Sequence, residues 1–273
     1  VRCADTSGNV SSDDYLITFN VAALIPSPSN GNITFDSSNS ASVPGNSNLA
    51  TLTWSHTVGS GSDKILLVGV STGIVSPNRQ VTSVTYNGLG LTRLGTSSYL
   101  SNSNVMTQTQ LWYLLNPPTG TGNITFTWSG TLKFVVGSAS YFGVNQTTPF
   151  GQLVSNNGRG GTASIGGISA STNDLVFDLF SRESDALTYG TPTASTTQTE
   201  IWNVRTNTTS WVGDGVIGGS SNKMNSSNMS WNWGPTRSWS ILAVPMKAAL
   251  ISGGGDTTSP TLNSGFPSGT LVA

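Results

Sequence analysis

The chain has 273 residues, of which 8% are charged, and its formal net charge at pH 7 is −1. Soluble domains carry roughly 25% charged residues, so the surface of this protein is predicted to be polar and nearly uncharged. That balance argues against nucleic-acid binding, which needs a basic surface. No apolar run approaches the roughly 20 residues of a membrane helix, so we predict no membrane insertion. Because 8 Trp and 9 Phe need a core, we expect a folded chain.

Alternating apolar and polar residues, the pattern of half-buried strands, run along most of the chain. The alternation covers residues 15–21, 52–58 and 124–128. The dipeptide Asn87-Gly88 stands between two apolar stretches and predicts a tight hairpin turn. No segment has the period and caps of a helix longer than a turn or two.

Short continuous apolar runs occupy residues 65–68, 134–136 and 175–177, and they predict strands that are buried on both faces. Many short strands between Gly, Asn and Pro turns indicate an all-β fold, namely a jelly-roll β-sandwich. Turn-rich stretches at residues 26–31 and 252–256 interrupt the strand pattern. We therefore place the jelly-roll sandwich at residues 32–249.

The two ends of the chain carry recognisable motifs. The head has the sequence V-R-C-A-D-T-S-G-N over residues 1–9, and the tail has D-T-T-S-P-T over residues 256–261. Both resemble the immunoglobulin-like repeats of bacterial surface proteins, which open with D-T-T-x-P and close with C-x-D-x-x-G-N. The resemblance implies that 1–25 are C-terminal strands and 260–273 the N-terminal strand of partial immunoglobulin-like sandwiches. Residues 26–31 and 250–259 are then linkers.

The order of these motifs is the reverse of the family order, since the closing strands come first. Either the chain is a window on a longer polypeptide, or tail and head strands pair between neighbouring copies. A head-to-tail contact that does not close into a ring makes a filament, which is the interpretation we favour. The predicted assembly strands contain Val1, Cys3, Tyr15, Ile17, Phe19, Thr261, Leu262, Phe266 and Leu271. The immunoglobulin-like resemblance implies a partner for Cys3 on an early strand of the same sandwich, a segment that this sequence lacks. A small buried hydrophobe is an equally open interpretation of Cys3.

The central segment is similar to a jelly-roll module of secreted bacterial proteins, through stretches such as L-T-W-S-H at 52–56 and G-V-N-Q-T-T-P at 143–149. The combination with the ends is similar to subunits of environmental extracellular filaments. It implies a structural subunit or repeat of an extracellular filament or cell-surface fibre, with adhesion as a companion role. The expected partners are neighbouring copies of the chain and glycans. No cofactor and no enzyme activity are implied.

Catalytic and metal-binding patterns are weak. His56 is the only histidine, and its phase with Trp54 and Val58 predicts a core position. Six carboxylates could form a glycosidase pair, although polar loop positions explain them better: Asp174, Asp178, Glu183, Asp185, Glu200 and Asp214. The adjacent Asp13 and Asp14 could hold calcium, but a solvated turn is the simpler interpretation. We therefore predict no catalytic residue and no metal site.

Carbohydrate binding by a multidomain secreted protein is the alternative function. Sugar rings stack on exposed flat aromatic side chains, and Trp231 and Trp233 lie two residues apart, hence on one face of a strand. Trp202 and Trp211 could join them. Core packing is the competing interpretation, because tryptophans are highly buried on average.

N-glycosylation sequons are spread along the chain. They stand at Asn9, Asn32, Asn123, Asn145, Asn207, Asn225 and Asn228. The chain is so rich in Ser and Thr that chance would produce about as many. The sequons therefore permit a glycosylated fibre without predicting one.

Overall fold

A computed structural model describes residues 7–9, 29–42, 51–75, 81–101, 106–129, 133–184, 190–206 and 215–251. The chain divides into two compact units. One is Asn30–Leu250, and the other combines Val1–Ser29 with Ile251–Ala273. Almost all described residues belong to the first unit, which is called the body below.

The described residues form strands and no helix. The strands are β1 (Ser29–Asn30), β2 (Thr34–Ser42), β3 (Thr51–Val58), β4 (Ile65–Val75), β5 (Val81–Tyr86), β6 (Leu89–Gly90), β7 (Thr92–Leu100), β8 (Met106–Leu115), β9 (Gly120–Trp128), β10 (Lys133–Phe142), β11 (Val154–Gly166), β12 (Leu175–Ser184), β13 (Thr193–Ala194), β14 (Thr199–Arg205), β15 (Gly215–Met224), β16 (Asn228–Met246) and β17 (Leu250–Ile251). The all-β prediction is confirmed.

Three antiparallel sheets build the body. The middle sheet has the order β2-β10-β4-β8-β7, and the front sheet has the order β3-β9-β5-β6. The back sheet has the order β11-β16-β12-β15-β14, with β13 paired to β16. The body is therefore a β-sandwich of three layers instead of two. The jelly-roll assignment stays a prediction.

The middle sheet is covered on both faces, which explains the continuous apolar runs of the sequence. On β4, Leu66 and Val68 pack into the core shared with the front sheet, while Ile65 and Leu67 pack into the core shared with the back sheet. Successive side chains of a strand point to opposite faces, so a strand between two layers reads as a nearly continuous apolar run. The prediction of strands buried on both faces is confirmed.

The back sheet carries its own cover. Strands β11 and β16 pair along most of their length, with a register shift between Gly160 and Thr162. At this bend a Cβ on Gly161 would lie 2.0 Å from the carbonyl oxygen of Gly234, so the close approach requires glycine. The segment beyond the bend, residues 162–166 and 228–233, is called the flap. Its side chains share a third apolar cluster with Phe180 of β12.

The hairpin between β5 and β6 turns at Asn87 and Gly88, as the sequence predicts. Both residues have positive φ, 49° and 81°, which is the geometry of a type I′ turn. The backbone N–H of Asn87 donates to the carbonyl oxygen of Asn123 at 2.9 Å, and Oδ1 of Asn87 accepts from the N–H of Asn123 at 3.0 Å. The turn is thereby tied to β9.

The incoming and outgoing chains of the body lie side by side. Strand β1 pairs with β17 in a two-stranded sheet, and the N–H of Gly31 donates to the carbonyl oxygen of Ala249 at 2.8 Å. The N–H of Ala249 in turn donates to the carbonyl oxygen of Gly143 at 2.7 Å. The predicted limits of the central module, residues 32–249, lie within two residues of this junction.

Candidate functional site

His56 is the centre of a buried polar network between the front and middle sheets. Its side chain is 1% exposed, its Nδ1 lies 2.9 Å from Oγ of Ser138, and its Nε2 lies 3.0 Å from Oγ of Ser140. Ser140 donates to Oδ2 of Asp36 at 2.6 Å, and the indole of Trp54 donates to Ser138 at 3.3 Å. The network therefore links β2, β3 and β10, and the predicted core position of His56 is confirmed.

The protons of this network can be assigned from its donors and acceptors. A hydroxyl has one hydrogen, and Ser140 gives it to Asp36, so Ser140 accepts from Nε2–H of His56. Nδ1 of the neutral ring is then an acceptor, and Ser138 has one hydrogen for two acceptors, Nδ1 at 2.9 Å and the carbonyl oxygen of Asn39 at 3.2 Å. Burial lowers the pKa of His56 from 6.5 to about 4, and the nearby charge of Asp36 acts in the opposite direction. The imidazole is therefore neutral at pH 7.

The network differs from a catalytic Ser-His-Asp triad. In a triad the carboxylate contacts the imidazole, which takes the proton of the serine. Here the carboxylate of Asp36 accepts the hydrogen of Ser140 directly, and serines occupy both nitrogens of His56. Ser140 is also fully buried. The arrangement joins two sheets. Ser37, which is half-buried and has its Oγ 3.3 Å from Nε2 of His56, donates its hydrogen to the carbonyl oxygen of Thr57.

Asp178 forms a second buried polar cluster, under the flap. Its Oδ1 accepts from the N–H of Ser221 at 2.6 Å and from Oγ of Ser221 at 2.9 Å. Its Oδ2 accepts from Nε1 of Trp231 at 2.9 Å and from Nε2 of Gln198 at 3.3 Å. Burial raises the pKa of Asp178 from 3.8 to about 7, and the hydrogen bonds from Ser221 and Trp231 partly offset this shift.

The carboxylates considered for glycoside hydrolysis have separate environments. Asp178 is fully buried inside β12, within the apolar segment 175–180 in which the sequence places it. Glu183 also belongs to β12 and not to a loop. Asp174 is 4% exposed and accepts from the N–H of Ser171 at 2.9 Å. Glu200 is exposed on β14. Asp185 and Asp214 lie outside the described residues.

Three of the four tryptophans considered for sugar stacking are interior side chains. Trp231 has no exposed surface, and Trp202 and Trp233 are each 6% exposed. Trp231 and Trp233 do share one face of β16, as predicted, but that face packs against Phe180, with ring centroids 4.3 and 6.3 Å apart. These rings cannot stack on a sugar, and the core interpretation holds for them. Trp211 lies outside the described residues.

Trp202 fits a notch in the middle sheet. Gly69 of β4 and Gly137 of β10 are paired across the two strands. A Cβ on Gly137 would lie 2.1 Å from Cε2 of Trp202, and one on Gly69 would lie 2.9 Å from Cζ2. The paired glycines therefore make the space that the indole fills.

An open groove of about 430 Å³ lies where the edge strand of the middle sheet, β2, meets β14 and β15 of the back sheet. Its apolar lining includes Phe35, Ile201 and Met224, and its polar lining includes Glu200 and Asn222. Phe35 is 48% exposed and Met224 is 42% exposed. Of these residues the sequence singles out only Glu200, as a candidate carboxylate of a glycosidase pair. The groove itself was not predicted, because it forms between strands far apart in the sequence.

The sequon asparagines that the structure describes are accessible. Asn9, Asn32, Asn123, Asn225 and Asn228 are exposed, and Asn145 is half-buried. The side-chain Oδ1 of Asn145 accepts from the N–H of Thr147 and of Thr148, both at 2.9 Å. Asn207 lies outside the described residues. Attachment of glycans stays a prediction.

Several predictions fall on residues that the structure does not describe. They include all of the predicted assembly residues and the acidic pair: Val1, Cys3, Asp13, Asp14, Tyr15, Ile17, Phe19, Thr261, Leu262, Phe266 and Leu271. Within the described ranges, no group of three or more His, Cys, Asp and Glu side chains could hold a metal ion. The same ranges contain no helix long and apolar enough to cross a membrane.

Comparisons with known protein families, with curated proteins and with solved structures find no match to this chain.

Proposed function

We propose that the chain is a non-enzymatic structural subunit of an extracellular filament or cell-surface fibre. The observation that carries this proposal is the pairing of β1 with β17, sealed by the hydrogen bond from Gly31 to Ala249 at 2.8 Å. A body whose chain enters and leaves at one point can be carried on a fibre without interrupting the path of the polypeptide. The pairing of β1 with β17 thus suits a body that is attached to a fibre through the segments before and after it.

The interior of the body supports a structural role. Three layers of antiparallel sheet enclose apolar clusters. The His56 network joins the front and middle sheets, and Asp178 joins β12 to the flap of the same sheet. Hydrogen bonds across layers hold a rigid relative position of the sheets. A rigid body of nearly uncharged surface is suited to exposure outside the cell.

Assembly is proposed to use the two ends of the chain. The head, residues 1–25, and the tail, residues 260–273, belong to one compact unit of the chain, and in the filament the tail of one copy would take this place in the unit of the next copy. Unpaired strand edges are sticky, and main-chain hydrogen bonds across the junction would supply the affinity. Because the contact is heterologous, repetition of it yields a filament.

Cryo-electron microscopy of native material tests this proposal. Continuous density from the tail of one copy into the sandwich around the head of the next would support it. Isolated particles, in which both ends of each chain fold only within that chain, would reject it.

A matched pair of variants adds a biochemical test. Phe266→Asp places a charge in the predicted tail strand and should leave the chain as monomers by light scattering. Leu89→Asp changes a side chain at the β5–β6 hairpin that is already 48% exposed, and it should assemble like the wild type. Equal assembly of both variants would reject the role of the tail.

A further inference from the structure

The groove between β2 and β14 has the composition of a small-ligand site. Sites for small molecules are concave, mostly apolar and about 300–1,000 Å³ in volume, with a few polar groups that fix orientation. This groove measures about 430 Å³ and combines apolar side chains with Glu200 and Asn222. Two exposed large apolar side chains, Phe35 and Met224, meet there.

Phe35 offers an accessible aromatic surface on which a ligand can stack, which the buried tryptophans do not. Phe35 is 48% exposed, and its ring makes an edge-to-face contact with Tyr141, with the centroids 5.7 Å apart and the planes at 72°. Tyr141 is fully buried, and its hydroxyl accepts a hydrogen bond from Nδ2 of Asn222 at 3.0 Å. A ring supported by a fixed neighbour loses little conformational freedom when a ligand stacks on it.

The charge of the polar lining disfavours an acidic ligand. Glu200 is the one ionisable side chain among the residues that line the groove, and no Lys, Arg or His lines it within the described part of the chain. Oε2 of Glu200 accepts from Nδ2 of Asn203 at 3.2 Å, which orients the carboxylate. A carboxylate has about four acceptor sites, so it can accept ligand hydroxyls as well. An acidic ligand would meet a like charge without a compensating cation.

We infer that this groove binds an uncharged saccharide, which stacks the C–H face of a sugar ring on Phe35 and donates hydroxyl hydrogens to Glu200. Sugars combine an apolar ring face with a rim of hydroxyls, and this lining offers a complement to both. The inference does not depend on the proposed filament function, although a glycan-binding groove would suit adhesion.

An added peptide strand is the competing occupant, because β2 and β14 are both sheet edges. The geometry disfavours it. Oγ of Ser38 on β2 donates to the carbonyl oxygen of Ile201 on β14 at 3.4 Å, so the two edges already contact each other. A peptide strand needs a free strand edge along which to form main-chain hydrogen bonds. A sugar needs only the ring of Phe35 and the carboxylate of Glu200.

Isothermal titration calorimetry of the full chain tests the inference. The probes are neutral tetrasaccharides of glucose, mannose, xylose and N-acetylglucosamine, and a galacturonic acid tetrasaccharide as the acidic probe. We expect binding of at least one neutral probe and none of the acidic probe. Binding of no neutral probe, or equal binding of the acidic one, would overturn the inference.

Variants locate the site. Phe35→Ala should weaken binding of the neutral probe by about ten-fold or more, while Phe35→Trp should retain it. Glu200→Gln should weaken binding several-fold. Leu100→Ala removes a side chain that is 52% exposed on β7 and should leave binding unchanged.

Unchanged binding of the neutral probe by Phe35→Ala would overturn the proposed site. Binding of a strand-forming peptide in place of every saccharide probe would also overturn it. Phe35 is half exposed, so its loss should leave the thermal unfolding midpoint within a few degrees of the wild type. Light scattering on the same samples reports assembly separately. Saccharide binding by a chain that forms no filaments would keep this inference and reject the assembly proposal.

Discussion

Trp231 donates a hydrogen bond from its indole Nε1 to Oδ2 of Asp178 at 2.9 Å, and neither side chain has any exposed surface. The bond joins the flap to the strand beneath it. A buried carboxylate is costly when ionised, and the donors from Ser221, Trp231 and Gln198 reduce that cost without removing it. The balance leaves the pKa of Asp178 raised to about 7, which makes the contribution of this carboxyl to stability depend on pH.

The variant Asp178→Asn should remove one pH dependence. Between pH 3.8 and about 7 the native carboxyl keeps its proton while the unfolded one loses it, so Asp178 costs stability as the pH rises through this window. Three pKa units correspond to a loss on the order of 4 kcal/mol, which is complete above pH 7. Urea unfolding from pH 4 to pH 8 measures it, and an unchanged pH profile in the variant would contradict the prediction.

The contribution of His56 to the pH dependence of stability should have the opposite sign to that of Asp178. The pKa of His56 falls from 6.5 to about 4 in the folded chain, so the unfolded chain binds the proton first and stability falls as the pH drops through this window. The effect is on the order of 3 kcal/mol. The pH dependences of stability that His56 and Asp178 contribute nearly cancel in the wild type. In His56→Gln, stability should therefore fall as the pH rises, and in Asp178→Asn it should fall as the pH drops.

Nuclear magnetic resonance tests the histidine directly, because His56 is the only one in the chain. Its ring signals should keep the positions of the neutral Nε2–H form from pH 8 down to pH 5 and move near pH 4. A midpoint near 6.5 would show that the buried network does not hold the ring neutral.

Gly137→Ala should destabilise the body, because the added Cβ would lie 2.1 Å from Cε2 of Trp202. Overpacking of this kind costs about 1–3 kcal/mol. Gly166→Ala on β11 is the matched control, since nothing lies within 4 Å of its added Cβ. In a Trp202→Leu background the cost of Gly137→Ala should largely disappear, and chemical unfolding of the double-mutant cycle measures this coupling. Equal cost in both backgrounds would show that Trp202 is not the obstacle.

The Asn87-Gly88 turn should respond to loss of its glycine. Gly88 has φ of 81°, a conformation that disfavours a side chain by about 1–2 kcal/mol. Gly88→Ala should therefore lower the free energy of unfolding by about that amount. Gly90→Ala, two residues along the same hairpin, has open space for its Cβ and should change stability by less than about 0.5 kcal/mol. Equal effects of the two substitutions in chemical unfolding would contradict the turn assignment.

Burial patterns along single strands could be predicted from the sequence. The alternation of Trp54, His56 and Val58 indicates a strand with one buried face, and the run at residues 65–68 indicates a strand between two layers. The dipeptide Asn87-Gly88 likewise predicts its turn. These properties are local, because side-chain direction in a strand has a period of two residues and turn conformation depends on its own residues.

Contacts between sheets were decided only by the tertiary structure. Periodicity places Trp231 and Trp233 on one face of a strand, but only the tertiary structure packs that face against Phe180. The flap likewise covers Asp178, which lies beneath it in the same sheet. The groove at Phe35 and Glu200 joins strands more than 150 residues apart in the sequence, so no local pattern marks it. The sequence alone thus determined which side chains share a face, whereas the packing of layers determined which faces meet water, because burial depends on partners that lie far along the chain.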